Sequence, residues 1–334
     1  MKVISEDIII KKYIDENNFS EALRQLFDIQ KEEWSMLASG FKSLGTVKSK
    51  SFQFNGFKLK AQFNAGRIIS TSAKVDPKSI SERKCFLCVE NLPIEQKGIL
   101  YNDKYIMLCN PFPIFPTHFT LTYKEHQPQR ILDTFTDMLD LSKDISKYYT
   151  VIYNGPRCGA SAPDHLHFQA GNKFFMPIDD EFQQIKNEYG QEIFEDENLS
   201  VFAIDDGLRK FISIESINKE LIEKTFNKFY LTYSGLMNEK LEPMINLVSF
   251  YEEESGWRII IFLRAKHRPA VFFTEGDEKM LVSPAAIDLG GVCIFPREED
   301  FKKITKDQIG DIFKEVFVDK KKLETVIKSL KQVL

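Results

Sequence analysis

Hydrophobic and polar positions alternate over the five residues from His165 to Gln169. In an extended strand, Leu166 and Phe168 lie on one face, whereas His165, His167 and Gln169 lie on the other. We expect the apolar face to pack into a core and the polar face to line a cleft. The same alternation is also compatible with a half-exposed strand whose histidines have no chemical role.

Patterns upstream predict the elements around this strand. Tyr149–Tyr153 is rich in β-branched and aromatic residues, which favours a strand. Tyr105–Cys109 and His118–Tyr123 predict two more strands, and the residues between them are rich in proline. Apolar residues over Ile131–Ile145 recur at helical spacing. The predicted order is therefore strand, strand, helix, strand and histidine strand.

A comparable series of elements follows the charged stretch over residues 186–200. It consists of a strand, a helix and two further strands, predicted over residues 211–216, about 218–236, 245–251 and 258–264. Because the order matches the first series, we predict an internal repeat, and its second copy lacks the paired histidines.

These two series predict an α+β fold with two lobes. Each lobe is expected to be an antiparallel sheet backed by helices, the first over residues 1–195 and the second over residues 196–334. A helical N-terminal extension, with a helix over about Phe19–Leu37, is expected to cap one lobe.

Composition narrows the class of protein. Of 334 residues, 43% are hydrophobic and 29 are Phe, which is ample for a large core. The formal net charge of −4 argues against a nucleic-acid surface. The first sixteen residues, with acids on both sides of a short apolar run, do not resemble a signal peptide, and no long apolar segment predicts a membrane span. Five cysteines, an odd number, favour a reducing compartment, so we predict a cytoplasmic protein.

A loop of small residues leads into the histidine strand. It contains Asn154, Gly155, Pro156, Gly159, Ala160 and Ser161. Small residues let a backbone approach a ligand closely, and consecutive N–H groups can surround a phosphate. The combination of such a loop with a histidine strand is much rarer than either part alone, which argues against a strand whose histidines have no chemical role.

The run Gly159–Gln169 resembles the active-site signature of the transferase branch of the histidine-triad (HIT) superfamily. This branch includes galactose-1-phosphate uridylyltransferase, diadenosine tetraphosphate phosphorylases and GDP-hexose phosphorylases, with the approximate pattern G-[AC]-S-x-P-H-x-H-x-Q. Here Asp164 is inserted between Pro163 and His165. The resemblance implies two HIT-like lobes, a catalytic one followed by a degenerate one.

The resemblance also implies a mechanism. His167 would attack the α-phosphorus of a nucleotide substrate and form a covalent nucleotidyl-histidine, because a neutral imidazole is a good nucleophile near pH 7. Gln169 would hydrogen-bond a phosphate oxygen, and the hydroxyl of Ser161 would add a donor. The hydrolase branch carries a third histidine at the position of Gln169, so the glutamine favours transfer or phosphorolysis over hydrolysis.

Further substrate-binding residues follow from the same resemblance. Asn154, Gly159, Ser161 and Gln169 are expected to bind the substrate. Family members carry an arginine near the N-terminus that contacts the nucleotide phosphates, and Arg67 is the candidate, because a guanidinium group suits phosphate geometry. A solvated arginine on a hairpin is the alternative.

A separate basic cluster follows the last predicted strand. It comprises Arg264, Lys266, His267 and Arg268. These side chains are compatible either with a sugar phosphate or with exposure to water.

Cys85 and Cys88 form a C-x-x-C pair that alone fits a redox site, half a zinc site or two buried thiols. Uridylyltransferases have a similar pair, and some bind a metal through it together with two histidines. His126 and His165 match those histidines in order. The resemblance therefore implies a structural zinc site with no open ligand position, and no organic cofactor.

The predicted protein is a nucleotidyltransferase or phosphorylase acting on a nucleoside diphosphate sugar or a dinucleoside polyphosphate. Inorganic phosphate or a sugar 1-phosphate would be the second substrate. A HIT-type nucleotide hydrolase and a non-catalytic nucleotide-binding relative are the alternatives. Base and sugar have no short motif in the sequence. Uridylyltransferases often pair, which favours a homodimer.

Overall fold

A computed structural model describes residues 18–239 and 241–334. The prediction that the first sixteen residues are not a signal peptide lies outside the described residues. The helices are α1 (Phe19–Glu33), α2 (Ser35–Leu44), α3 (Ile68–Thr71), α4 (Pro77–Glu82), α5 (Phe135–Asp144), α6 (Pro177–Tyr189), α7 (Lys219–Met237), α8 (Ala286–Leu289), α9 (Glu298–Lys303), α10 (Lys306–Val316) and α11 (Lys320–Val333). None of the helices in the described part of the chain has both the length and the apolarity needed to cross a membrane.

The strands alternate with these helices along the chain. They are β1 (Lys48–Gln53), β2 (Lys58–Phe63), β3 (Gly98–Tyr101), β4 (Tyr105–Cys109), β5 (His118–Tyr123), β6 (Tyr149–Asn154), β7 (His167–Asn172), β8 (Gly190–Glu195), β9 (Ser200–Asp205), β10 (Lys210–Ser216), β11 (Ile245–Glu252), β12 (Gly256–Leu263) and β13 (Val292–Phe295).

Ten of these strands form one antiparallel sheet in the order β3-β4-β5-β7-β6-β11-β12-β10-β9-β8. Helices pack against it, so the predicted α+β class with antiparallel sheets backed by helices is confirmed. The strands of the two predicted lobes are not separate sheets, however. They join edge to edge, because Asn246–Ser249 of β11 pairs with Val151–Asn154 of β6.

The strand order is mirrored about this central pair. Moving outward from the junction, β6, β7 and β5 correspond to β11, β12 and β10, and α5 and α7 occupy equivalent places in the chain. These are the strands that the sequence repeat matches. The mirror order gives the sheet an approximate two-fold symmetry, with the histidine strand one place from the junction.

Both faces of the ten-stranded sheet are covered. One face packs against α1, α5, α7 and α11 through side chains such as Val151 and Tyr153. The opposite face, which includes Ile152, packs against α6, α8 and α10. Each of these cores contains residues from both halves of the chain. Burial on both faces explains why the central strands are almost continuously apolar.

A second, three-stranded sheet lies next to the second core. Its order is β1-β2-β13, and β13 runs parallel to β2 with Val292 opposite Lys60. The pairing connects residues far apart in sequence. It therefore places the turn after β2, which carries Arg67, beside the C-terminal part of the chain.

The predicted helices are present with one correction. The helix expected over about residues 218–236 is α7, and the helix expected over Ile131–Ile145 comprises a short 3-10 turn followed by α5. The helix expected over Phe19–Leu37 is instead interrupted at Trp34. This residue adopts an extended conformation with φ −116° and ψ 103°, and its side chain is buried. The chain therefore turns and continues as α2.

The shared sheet makes a prediction about unfolding. Trp34 lies in the first half, and Trp257 lies in the second, where its indole N–H donates to the carbonyl oxygen of Leu139 at 2.9 Å. Because the halves share strand pairing and cores, we expect both tryptophans to report the same transition midpoint. The measurement is urea unfolding of Trp257→Phe and Trp34→Phe, in which the fluorescence midpoint of the remaining tryptophan is compared with the circular dichroism midpoint of the same variant. A fluorescence midpoint well separated from the circular dichroism midpoint of the same variant would contradict a shared unfolding unit.

Candidate active site and metal cluster

The loop between β6 and β7 lies against the C-terminal half of the chain. Gly159 has φ +92°, a conformation that favours glycine, and a Cβ atom there would lie 2.6 Å from Cβ of Ala285. The side-chain amide of Asn246 donates to the carbonyl oxygen of Cys158 at 2.7 Å. Residues from both halves therefore hold the small-residue loop that the sequence singled out.

The histidine strand begins two residues later than predicted. Leu166 and Phe168 pack into the core as expected, and β7 starts at His167. His165 precedes the strand, and its imidazole turns towards Cys85 and Cys88 instead of sharing the cleft face. The cleft face of the strand is therefore formed by His167 and Gln169.

The imidazole of His167 has one nitrogen engaged and one available. Its Nδ1–H donates to the carbonyl oxygen of His165 at 2.8 Å, which leaves Nε2 with a free lone pair. The ring lines a large cavity. Burial lowers the pKa of His167 to about 4, so the ring is neutral at physiological pH. This is the form required of a nucleophile.

Gln169 is oriented by His118, whose role the sequence did not define. The backbone N–H of Ile114 donates to Nδ1 of His118 at 3.2 Å, so the proton of the neutral ring lies on Nε2. Nε2 lies 2.9 Å from Oε1 of Gln169 and donates to it. Burial, with the charge of Arg67, lowers the pKa of His118 to about 3. Gln169 therefore has its oxygen occupied and offers its amide N–H groups to the cavity.

Asn154 is held in a similar way. Its Oδ1 accepts from the side-chain amide of Asn246 at 2.8 Å and from the backbone N–H of Ala286 at 2.9 Å. The guanidinium group of Arg264 in turn donates to Oδ1 of Asn246 at 2.6 Å, which fixes the orientation of that amide. The free amide hydrogens of Asn154 thus remain for a ligand.

Two connected cavities surround these side chains. The larger one, of about 710 Å³, is lined by His167 and by apolar residues near the junction of α1 and α2. The smaller one, of about 50 Å³, is lined by Asn154 and by the loop residues Gly159 to Ser161. Arg67, Ser161 and Gln169 line both cavities. The predicted substrate-binding residues therefore come together at one place.

Arg67 lies in a short 3-10 turn after β2. Its Nη1 donates to the carbonyl oxygen of Phe112 at 2.7 Å. Among the described residues it forms no ion pair with a carboxylate, so its charge is not neutralised by direct contact. The position at the rim between the cavities favours a ligand-binding role over that of a solvated hairpin residue.

Cys85, Cys88, His126 and His165 form a compact cluster whose possible ligand atoms all lie within 4.8 Å of one another. Nδ1 of His165 lies 3.3 Å from Sγ of Cys85, and Nδ1 of His126 lies 3.2 Å from Sγ of Cys88. In a tetrahedral zinc site with ordinary bond lengths, adjacent sulfur and nitrogen ligands are about 3.5 Å apart. These four residues therefore fit a metal ion.

The orientation of His165 also fits a metal ligand. Its Nε2–H donates to the carbonyl oxygen of Tyr123 at 2.7 Å, which directs the lone pair of Nδ1 towards the thiols. The extra residue Asp164 forms an ion pair with Arg83, and Oδ2 of Asp164 lies 3.9 Å from Nε2 of His126. The insertion is thus accommodated beside the cluster.

The sequence did not indicate a role for Gln129, which is buried and forms hydrogen bonds with the backbone at the start of β7. Its Oε1 accepts from the backbone N–H of His167 at 2.8 Å, and its Nε2 donates to the carbonyl oxygens of His167 and Asn154 at 3.0 and 2.9 Å. Only its position three residues after His126 connects it to a motif in the sequence. Gln129 therefore fixes the backbone that carries the candidate nucleophile.

Replacement of Gln129 tests this role. Gln129→Ala would leave three buried backbone groups without partners, and we expect the free energy of unfolding to fall by about 2–5 kcal/mol. Gln127→Ala is the matched control, because the Gln127 side chain makes no hydrogen bond within the described part of the chain. Urea unfolding measures both variants. Equal stability of the two would rule out this role.

Two family models match parts of the chain. Residues 26–172 match the family described as "Domain of unknown function (DUF4922)", and residues 231–334 match "GDPGP1-like, C-terminal domain". A search of curated proteins finds no significant match.

Solved structures with a similar fold include the yeast Ap4A phosphorylase Apa2. The similarity has a TM-score of 0.56 at 15% identity and covers 90% of this chain and 94% of Apa2. The Apa2 complex with AMP gives the same TM-score and identity and covers 87% and 94% of the two chains. The chain therefore shares the fold of Apa2, in agreement with the resemblance of its signature run to the transferase branch of the histidine-triad superfamily.

Proposed function

We propose that the protein is a nucleotidyltransferase or phosphorylase that forms a covalent nucleotidyl-histidine on His167. The substrate would be a nucleoside diphosphate sugar or a dinucleoside polyphosphate. The observation that carries the proposal is the geometry of the His167 imidazole, whose Nδ1–H is engaged by a carbonyl oxygen and whose Nε2 is available in the large cavity.

The large cavity suits a nucleoside. Its lining includes Met36, Ile69, Phe86 and Phe112, which are large apolar side chains that are exposed to solvent. Such side chains grouped around a cavity favour binding of a flat or apolar group. The volume of about 710 Å³ accommodates a nucleotide.

The chemistry would proceed in two displacements. Nε2 of His167 attacks the α-phosphorus, a P–N bond forms, and the bond between phosphorus and the bridging oxygen breaks. The leaving phosphate compound keeps the electron pair of that bond. A phosphate oxygen of the second substrate then attacks the same phosphorus and releases the imidazole as the P–N bond breaks. Inorganic phosphate or a sugar 1-phosphate would be this second substrate.

Hydrogen-bond donors near the reacting phosphorus would stabilise its oxygens. Gln169 presents amide N–H groups because His118 occupies its oxygen, and Arg67 and Ser161 lie at the same rim. Gln169 offers no imidazole to assist attack by water. This donor set therefore favours transfer to a phosphate acceptor over hydrolysis.

We also propose that the metal cluster binds zinc with a structural role. Two thiolates and two imidazoles suit zinc, and the four protein ligands leave no open position for a substrate. The ion would restrain His165, whose carbonyl oxygen accepts the Nδ1–H of His167. The homodimer, the cytoplasmic location and the lobe boundary near residue 195 stay predictions.

The covalent intermediate can be trapped. Incubation with GDP-hexoses, UDP-hexoses or dinucleoside polyphosphates, without phosphate, should attach a nucleotidyl group to His167. Intact mass and peptide mapping would locate an adduct that is labile in acid and stable in base, as a phosphoramidate is. Added phosphate or sugar 1-phosphate should discharge it as a nucleoside diphosphate compound.

His167→Ala should abolish labelling and lower turnover by a factor on the order of 10³ or more, because the chain offers no replacement nucleophile at that position. Gln127→Ala should label like the unaltered protein and serves as the control. Full turnover by His167→Ala would overturn the covalent mechanism. Release of nucleoside monophosphate at the same rate with and without phosphate would indicate a hydrolase instead.

Metal content provides a separate check. Protein purified without chelator should contain stoichiometric zinc, and Cys88→Ser should lose most of it and unfold at a lower temperature, because structural zinc contributes to folding. Cys293→Ser is the matched control, since Cys293 is a buried thiol outside the cluster. Elemental analysis and thermal unfolding are the measurements. Equal metal content in the two variants would exclude the proposed ligands.

A further inference from the structure

Three residues that line the small cavity have no role in the proposed mechanism. His267, Arg268 and Ser283, all from the C-terminal half, line this cavity opposite the loop residues Gly159 to Ser161. His267 and Arg268 belong to the basic cluster that the sequence left open between a sugar phosphate and water. The structure thus places this pair in a cavity that adjoins the candidate nucleophile.

His267, which lines this cavity, has an unsatisfied polar atom. Its Nε2 is buried and has no hydrogen-bond partner among the described residues. The backbone of its segment is fixed, because the guanidinium group of Arg264 donates to the carbonyl oxygens of Lys266 and His267 at 2.9 and 3.1 Å. A buried imidazole nitrogen without a partner costs free energy, and a ligand in the adjoining cavity would supply the partner.

Arg268 is held in place by neutral acceptors. Its Nε donates to Oγ of Ser283 at 3.1 Å, and its Nη2 donates to the carbonyl oxygens of Thr71 and Ala73 at 3.2 and 3.0 Å. The guanidinium also lies over the ring of Phe272, 4.1 Å from its centroid. Within the described ranges no carboxylate pairs with it. Its positive charge is therefore positioned and uncompensated.

The other charged groups of the cavity agree with an anionic ligand. Arg67 adds a second guanidinium that forms no carboxylate pair within residues 18–239 and 241–334. The carboxylate of Asp288 also lines the cavity, but its two oxygens accept from the backbone N–H groups of Ile294 and Ala285 at 2.8 and 2.9 Å. Positive charge and free donors, including the amides of Asn154 and Gln169, thus predominate.

The volume of the small cavity limits the size of the ligand that it can hold. About 50 Å³ has room for a group as large as about three or four water molecules. One tetrahedral oxyanion has this size, and a sugar ring is larger. The cavity meets the large one at Ser161 and Gln169. A nucleotide whose α-phosphate lies at this rim would therefore have its next phosphate in the small cavity.

We propose that the small cavity binds the acceptor phosphate, with His267 and Arg268 as its ligands from the C-terminal half. The inference rests on the proposed function. An in-line displacement by His167 requires the entering phosphate to approach from the side of phosphorus opposite the imidazole, and the leaving phosphate departs from that same side. His267 donates one hydrogen bond to the acceptor, and Arg268 donates from its guanidinium group.

Binding of inorganic phosphate to the resting protein tests the site without any nucleotide. Titration calorimetry should detect one site, and His267→Ala and Arg268→Met should each weaken it about 10- to 100-fold, because each removes a hydrogen bond to a charged group. His267→Gln, which keeps a donor, should recover part of the affinity. Lys266→Ala is the matched control, since Lys266 is exposed and paired with Glu315. Circular dichroism checks that each variant is folded.

Unchanged phosphate affinity in both His267→Ala and Arg268→Met would overturn the inference, and so would an equal loss in Lys266→Ala. A second measurement follows discharge of the nucleotidyl-enzyme by phosphate. The two variants should need about 10- to 100-fold more phosphate for half-maximal discharge.

The two proposals fail in different ways. If an adduct forms and both variants discharge it at the unaltered phosphate concentration, the acceptor site is wrong and the proposed function stands. If no nucleotide labels the protein while phosphate binding still depends on His267, the proposed function and the acceptor role are both wrong.

Discussion

Asn154 and Asn246 lie opposite each other where β6 pairs with β11, and their side chains are hydrogen-bonded across the junction. The bond connects the two halves of the chain and also fixes the small-residue loop between β6 and β7, because the same Asn246 amide donates to the carbonyl oxygen of Cys158. The guanidinium group of Arg264 donates a hydrogen bond to Oδ1 of Asn246 and so fixes the orientation of this amide. Buried polar networks of this kind favour one geometry, and here the side-chain oxygens of both asparagines accept hydrogen bonds. The position of the loop relative to the second half therefore follows from the central strand pairing.

The metal cluster and the candidate nucleophile are connected through His165. The side chain of His165 faces the thiols, while its backbone carbonyl oxygen accepts the Nδ1–H of His167. A restraint on His165 therefore also fixes the tautomer of His167. Gln129 acts on the same residue from the other side by binding the backbone of His167. The nucleophile is held by local backbone contacts, and the ligand-facing atom is left free.

Local patterns in the sequence predicted the elements that are themselves local. Alternation identified Leu166 and Phe168 as core residues, and helical spacing identified α7 almost to its ends. The edge strand β8 was missed because it lies in a charged stretch and only partly alternates. The break at Trp34 depends on where its ring is buried, which no local pattern reports.

In the candidate site, too, local patterns in the sequence predicted only what is local. Ser161, His167 and Gln169 line one cavity, as the short signature run predicted, whereas His165 was wrongly predicted to share the cleft face and turns towards the thiols instead. Gln129, His118 and Arg264 were not assigned their roles, because the partners of a buried polar residue lie far away in the sequence. Arg264 binds Asn246 across neighbouring strands, and His118 binds Gln169 in the same way. Such pairs become visible only when the register of the strands is known.

The junction between β6 and β11 has a consequence for a chain that holds only one repeat. Such a chain would expose β6 as an open edge, with backbone N–H and C=O groups lacking partners. Two identical copies related by a two-fold axis would close that edge, because antiparallel pairing is compatible with such an axis. The ten-stranded sheet corresponds to such a dimer fused into one polypeptide. Fusion removes the requirement that both subunits be identical, so one half keeps the paired histidines His165 and His167 while the other is free to change its side chains.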